Sequence, residues 1–195
     1  MPRPAPELLH LVECLGRLLA GSLRERGGEV GLQLVHLQAL AYLRDANRYS
    51  NTPRALAEFL GLTKGTVSQS LLLLHRRGLV EREADAADGR VVRLRLSARG
   101  LRLLDRAEIL PDWEQALAAV PAGERAAARK ALRGLLAGLQ WRRGNLSFGE
   151  CRSCAHVRRE GAGAYRCGLT GEPLQRFETL QICREHRWAG ETGQG

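Results

Sequence analysis

No stretch of this chain approaches the roughly 18 uninterrupted apolar residues that a membrane span needs. Its first residues, Met1 to Glu7, carry prolines rather than a signal-type apolar block. The expected address is therefore the cytoplasm, with no membrane partner. Internal repeats and low-complexity tracts are lacking as well. So are the marks of catalysis: there is no nucleophile with its base, no phosphate-binding glycine loop and no paired-carboxylate site, so an enzyme is not expected. Lysine is scarce, and the basic residues are nearly all arginine.

What is present points to a binding protein. A length of 195 residues allows one ordinary core plus a small appendage. The hydrophobic share of 44% and charged share of 26% are those of a soluble globular chain. The formal net charge of +9 implies a polyanionic partner. Arginine's planar fork suits both phosphate and guanine edges.

Apolar residues Leu8, Leu11, Val12, Leu15, Leu18, Leu19 and Leu23 recur at three- and four-residue steps, which predicts a helix over Glu7 to Leu23 ended by Gly27 and Gly28. A second helix is expected from about Leu32 to Arg44, interrupted by the polar run Asn47 to Thr52. Thr52 reads as an N-cap with Pro53 at the first helical position, opening a short helix to Leu60. Gly61 permits the positive backbone angle of a helix end, and Thr63 caps a helix running through Val67, Leu71 and Leu74 to about Arg77. After Gly78 the period becomes two. Leu79 to Glu83 and Val91 to Leu96 alternate around a charged tip containing Asp88 and Gly89, which predicts a hairpin. Ser97 caps the next helix, with a break at Pro111. Pro121 opens a last one carrying Ala128, Leu132, Leu135, Leu136 and Leu139 on one face.

Two short helices across a glycine turn, followed by a hairpin, make a winged helix-turn-helix pattern. Ala57, Gly61 and Val67 supply the small residue, the turn glycine and the branched apolar residue that let the two helices pack closely. The segments Gly78-Leu79-Val80-Glu81-Arg82, Asp88-Gly89-Arg90 and Leu94-Arg95-Leu96-Ser97-Ala98-Arg99-Gly100 resemble the multiple-antibiotic-resistance regulator (MarR) family over roughly residues 7 to 141. One departure is Gly89, where that family often carries arginine or lysine.

The resemblance implies a mainly α fold with a small β wing, working as an obligate homodimer on double-stranded operator DNA. It also implies a small-molecule effector held between the dimerisation layer and the DNA-binding lobe. Residues 1–143 would form this domain, with dimerisation helices at about 5–27 and 98–141 and the DNA-binding lobe at about 32–97. In such motifs the second helix enters the major groove. Thr63, Lys64, Thr66, Ser68, Gln69 and Ser70 are therefore the candidates for bases or phosphates, Gln69 for an adenine edge. Arg90 at the wing should enter or flank the minor groove, with Asp88 orienting its guanidinium. Arg54, Arg76, Arg77 and Arg82 are candidate phosphate contacts.

Beyond Trp141 the helical period fades, and residues 144–195 hold Cys151, Cys154, Cys167 and Cys183 spaced C-x2-C-x12-C-x15-C. Such a module is too small to be held by burial alone, and four thiols in a reducing compartment point to a metal. One close pair followed by two distant single cysteines is similar to the layout of high-potential iron-sulfur proteins, which implies a 4Fe-4S cluster; a zinc ion is the alternative. His156 and His186 are expected beside the site rather than in it. Cys14 is expected to be a buried thiol of the first helix. Trp141 and the helix before it are the expected link from the module to the dimer, and Ala189 to Gly195 are expected to fray.

The leading function is a dimeric transcriptional regulator that senses redox state, gas or iron through this module. Its rivals are a small-molecule-responsive repressor with a structural zinc, a module that serves as a protein-interaction platform, and, remotely, a metalloenzyme.

Overall fold

The computed structural model describes residues 6–86, 88–108, 110–142, 147–161 and 163–188. The expected fraying of Ala189 to Gly195 and the boundary at 143/144 lie outside them. The chain is mainly helical, with a small β wing. Its helices are α1 (Pro6–Glu29), α2 (Leu34–Asp45), α3 (Pro53–Leu60), α4 (Lys64–Arg76), α5 (Ala98–Ala107), α6 (Pro111–Ala119) and α7 (Ala122–Arg142). The wing is an antiparallel hairpin of β1 (Val80–Ala84) and β2 (Val92–Leu96), in register from Val80 opposite Leu96 to Ala84 opposite Val92. Short strands follow after residue 147: β3 (Gly149–Glu150), β4 (Val157–Arg159), β5 (Tyr165–Cys167), β6 (Pro173–Leu174) and β7 (Ile182–Cys183). β3 pairs with β7, and β4, β5 and β6 form a three-stranded sheet.

Local chemistry sets most of these boundaries. Thr52 accepts the Ala55 amide at 3.2 Å, Thr63 that of Thr66 at 3.2 Å and Ser97 that of Gly100 at 3.0 Å, each satisfying an orphan donor of a first helical turn. Gly61 closes α3 at φ 64°, in the left-handed region.

The first helix departs from expectation. It runs through Gly27 and Gly28 to Glu29, and the residue in the left-handed conformation is Gly31, at φ 68°. Gly27 serves packing instead. A Cβ there would lie 2.6 Å from the Leu32 carbonyl oxygen, whose residue donates its own amide back to the Gly27 carbonyl at 2.8 Å. The glycine lets the α1–α2 turn fold back on the helix that precedes it.

The core sits in the lobe formed by α2, α3, α4, α5 and the hairpin. Leu37, Leu40, Tyr42, Leu56, Val67, Leu71, Leu74, Leu79, Leu94 and Leu104 are buried together. By contrast α7, 21 residues long, buries only Ala137 among its described side chains. Leu11, Leu15 and Leu18 of α1 and Leu132, Leu135, Leu136 and Leu139 of α7 remain exposed. Trp113 ties α6 to α1 through a 3.2 Å hydrogen bond to Ser22. Cys14 is half-buried rather than buried, on a helix whose leucines Leu11, Leu15 and Leu18 are exposed among the described residues. No helix among the described residues is long and apolar enough to cross a membrane.

Candidate nucleic-acid interface and cysteine module

The helix-turn-helix is α3, the Gly61 turn and α4. The N-terminal half of α4 projects from the lobe, leaving Thr63, Lys64, Thr66, Ser68 and Gln69 exposed. The hydroxyls of Thr63 and Thr66 lie 2.9 Å apart and belong to the helix cap. Lys64, Ser68 and Gln69 are thus the side chains left to reach outward. Ser70 departs from the expected set: it is only 6% exposed and donates to the Thr66 carbonyl at 3.0 Å, so it faces the bundle. At the 3.6-residue period it lies three residues beyond Val67, on the packed face.

Lys64, Ser68 and Leu71 of α4 line a cleft of about 230 Å³ with Pro53 and Arg54 of α3 and Arg82 of β1. Three cations converge there from three elements, an arrangement that fits a phosphate. Arg76 is exposed at the end of α4. Arg77, also a candidate, is engaged internally, donating to the Gly31 carbonyl at 2.6 Å and so tying α4 to the end of α1. Burial and the Arg77 charge lower the pKa of the neighbouring His36, whose Nδ1 accepts the Gln33 amide at 3.1 Å.

At the wing tip Asp88 grips Arg90 three times: Oδ1 accepts Nε at 3.0 Å and the Arg90 amide at 3.1 Å, and Oδ2 accepts NH2 at 3.4 Å. These bonds hold the Asp88 carboxyl below its ordinary range. The Arg90 side chain is 91% exposed, a guanidinium aimed into solvent on a pre-set backbone. Arg90→Ala should weaken duplex binding by roughly 1–3 kcal/mol with the oligomeric state unchanged. Fluorescence anisotropy at one salt concentration reads this, and wild-type affinity would remove the wing from the interface.

The wing is braced by residues that sequence reasoning did not single out. Arg93 donates to Asp85 at 2.6 Å, to the Arg48 carbonyl at 2.8 Å and to Asn51 Oδ1 at 3.2 Å, while the Leu94 amide donates to the Asn51 carbonyl at 2.8 Å. The loop at 46–52 therefore holds β2 as well as capping α3. Periodicity carries no signal for such a loop.

The same loop receives the cysteine module. The Asn47 amide donates to the Ile182 carbonyl at 2.9 Å and the Arg184 amide to Ser50 Oγ at 2.8 Å. Arg48 pairs with Glu172 at 3.1 Å, and Tyr49 donates to the same carboxylate. Phe148 packs edge-on against Phe59 and Tyr42, with centroids 5.4 and 6.3 Å away. Phe148 and Ile182 thereby join the main core. Among the described residues the module docks chiefly on α2, α3 and the loop between them, while α7, the expected link to the dimer, accepts a bond at Gln140 from Trp188 Nε1 at 3.2 Å.

Within the module Cys151, Cys154 and Cys183 are buried and Cys167 is half-buried. Cys154 Sγ accepts backbone amides of His156 at 3.5 Å and Arg187 at 3.4 Å, and Cys151 Sγ accepts Asn47 Nδ2 at 3.7 Å. Hydrogen bonding between the two thiols pushes Cys183 down to about 6 and Cys151 up. The donor chemistry suits a metal. Among the described residues, however, no group of three or more His, Cys, Asp or Glu is drawn together around a single ion.

His186 is a pillar of the module. It is 1% exposed, lies 2.8 Å from Ser147 Oγ through Nδ1 and 3.0 Å from Ser153 Oγ through Nε2, and meets Trp188 edge-to-face at 4.9 Å. Gly149 is required beneath it, since a Cβ there would lie 2.8 Å from the ring. Burial depresses the His186 pKa from 6.5 to about 4. The unfolded module binds a proton that the folded one excludes. Its stability is therefore full above about pH 6.5 and falls as pH drops towards 4, by at most ~1.4 kcal/mol per pH unit. Amide protection factors in residues 147–161 and 163–188, corrected for the intrinsic pH dependence of exchange, should fall across that window; protection factors constant from pH 7 to 4 would contradict this account.

An exposed α4, a braced wing and a basic cleft lie on one lobe. Residues 30–91 match the MarR family model. The described fold is MarR-like, and solved structures agree. Staphylococcus aureus MepR in its DNA-binding conformation superposes with a TM-score of 0.59 at 24% identity, covering 68% of this chain and 98% of that one. Apo MarR from Escherichia coli gives 0.53 at 23% identity, covering 70% and 99%. CouR from Rhodococcus jostii RHA1, bound to p-coumaroyl-CoA, gives 0.55 at 20% identity, covering 69% and 95%. The MarR-like structures are spanned almost whole, whereas close to a third of this chain has no counterpart in them. No curated protein matches it.

Proposed function

We propose that the chain is a MarR-type, dimeric, sequence-specific DNA-binding transcriptional regulator, whose operator affinity depends on a metal held by Cys151, Cys154, Cys167 and Cys183. The observation that carries the DNA-binding reading is the basic cleft, where Arg54, Lys64 and Arg82 converge beside the exposed face of α4 while Asp88 presents Arg90 at the wing. A S. aureus MepR–DNA complex with a TM-score of 0.55 is among the similar structures. The exposed leucines of α1 and α7 support a homodimer.

The metal reading rests on four cysteines in a segment of short strands, three of them buried, and on the amide donors to Cys154. Thiolate binding would supply folding energy that so small a module lacks. A 4Fe-4S cluster is the favoured occupant and zinc the alternative.

A second reading is favoured by a separate cleft of about 560 Å³ between α1, α2 and α4, lined by Arg24, Leu32, Gln33, Val35 and Leu62. It is large enough for a small organic effector, and the CouR structure holds p-coumaroyl-CoA. In that case the module is structural and the signal is the small molecule.

The deciding experiment is anaerobic purification with a visible spectrum and iron, sulfide and zinc analysis, followed by titration of wild type and Cys167→Ser against a duplex that the wild type selects from a random pool. Iron and sulfide in wild type, their loss in Cys167→Ser and a 5- to 150-fold change in affinity are expected, the usual range of allosteric coupling. A colourless protein with one zinc per chain and equal affinities would move the sensing role to the small-molecule cleft.

A further inference from the structure

Arg184, the residue after Cys183, reaches out of the cysteine module into the helix-turn-helix. Its Nε and NH2 both donate to the carboxylate of Glu58 on α3, NH2 at 3.0 Å. Glu58 has a second cation one helical turn away: Arg54 Nε donates to the same Oε1 at 3.0 Å. Arg184 and Glu58 are about three-quarters buried, whereas the Arg54 side chain is 71% exposed and lines the basic cleft with Lys64 and Arg82. One carboxylate is thus shared between a cation of the module and a cation of the candidate phosphate site.

We infer that Arg184 sets how strongly Arg54 holds the DNA backbone, by neutralising the Glu58 carboxylate that the two arginines share. With the module docked, the two-pronged grip of Arg184 compensates the Glu58 charge, so the exposed Arg54, which also donates Nε to that carboxylate, can turn to a phosphate without leaving it unpaired. With the module undocked, Glu58 has Arg54 as its remaining partner and stands beside the polyanion with its charge otherwise uncompensated. The site then loses a cation and gains an anion. The sign follows: a docked module strengthens DNA binding, and whatever disorders residues 182–184 weakens it. The backbone bonds from the Asn47 amide to Ile182 and from the Arg184 amide to Ser50 place this arginine, so its reach depends on the strand that carries Cys183.

This inference rests on the proposed DNA-binding role, and the test separates the two. Wild type, Arg184→Ala, Glu58→Gln and the double variant are titrated across a salt series against the duplex that the wild type selects. Arg184→Ala should bind roughly 3- to 10-fold more weakly, with a salt dependence shallower by about one released counterion. Glu58→Gln, which removes the charge in dispute, should bind no more weakly than wild type, and the double variant should match Glu58→Gln. Wild-type affinity for Arg184→Ala, or a double variant as weak as Arg184→Ala alone, overturns the link. Should Arg184→Ala disturb the module's own fold, Cys167→Ser is compared with Cys167→Ser/Glu58→Gln. The cysteine substitution should weaken binding only where Glu58 is present, and equal weakening in both backgrounds overturns the link. A wild type that selects no duplex overturns the DNA-binding role itself.

Discussion

Placing arginine at both Leu15 and Leu136 should convert the dimer into monomers and lower duplex affinity by several orders of magnitude. These leucines are 51% and 49% exposed, in apolar stripes that the described residues leave half uncovered. Burying a leucine contributes about 1.5–3 kcal/mol, and each substitution occurs twice in a dimer. Only the exposed half of each leucine is left for the dimer to bury, so the change would remove roughly 3–6 kcal/mol of apolar stabilisation and bring charge into the layer. A monomer has one recognition helix for an operator of two half-sites about one helical turn apart, so the partner's contacts are lost as well. Light scattering should give twice the 21.5 kDa chain mass for wild type and that mass once for the variant. A wild-type monomer that bound its duplex tightly would end the dimeric proposal.

The second large effect concerns stability. Gly100 sits in the first turn of α5, where a Cβ would lie 2.2 Å from the Leu79 carbonyl oxygen and 2.9 Å from Leu96 Cδ1. That carbonyl is not free to move, because it accepts the Ser97 amide at 3.1 Å and so closes the base of the wing on the helix entry. Gly100→Ala gains about 1 kcal/mol of helix propensity and loses more to the clash. A net loss of about 2–3 kcal/mol is expected, lowering the melting temperature by roughly 5–10 °C. An unchanged melting temperature would show that α5 shifts away from the wing without cost. The clash also gives a physical reason for the Leu-Ser-x-x-Gly pattern: the serine caps the helix, and the glycine lets it pass against the wing.

The substitutions differ in what each would disturb. Arg90→Ala alters charge at a surface and Arg184→Ala removes a largely buried ion pair between the module and α3, and both should leave the helices intact. Leu15→Arg/Leu136→Arg and Gly100→Ala alter packing and should register in assembly or melting first. A variant of the first kind that melted early would indicate that its side chain braces the lobe rather than serving DNA.

Much of the fold was legible in the sequence because its causes are local. Thr52, Thr63 and Ser97 satisfy amide donors three residues away, Gly61 and Gly78 adopt positive φ, and the change from a helical to an alternating period marks the wing. Asp88 and Arg90 stand two residues apart, and their grip could be anticipated. The helical period also predicted which faces of α1 and α7 carry leucine.

Tertiary structure decided what depends on distant neighbours. Gly27 looked like a helix end, yet it serves the return of the chain at Leu32, since close approach and helix termination call for the same residue. Ser70 looked like a groove contact, but its distance from Val67 turns it into the bundle. Arg77 was taken up by the Gly31 carbonyl, 46 residues away in sequence. Above all, the cysteine spacing suggested a metal but carried no information about where the module would dock. Glu58 and Arg184 are 126 residues apart, and their contact follows from the packing of Phe148 and Ile182 onto the lobe. Local patterns could set each helix and strand because backbone satisfaction is settled within a few residues; the shared carboxylate needed the assembled core to bring its two arginines together.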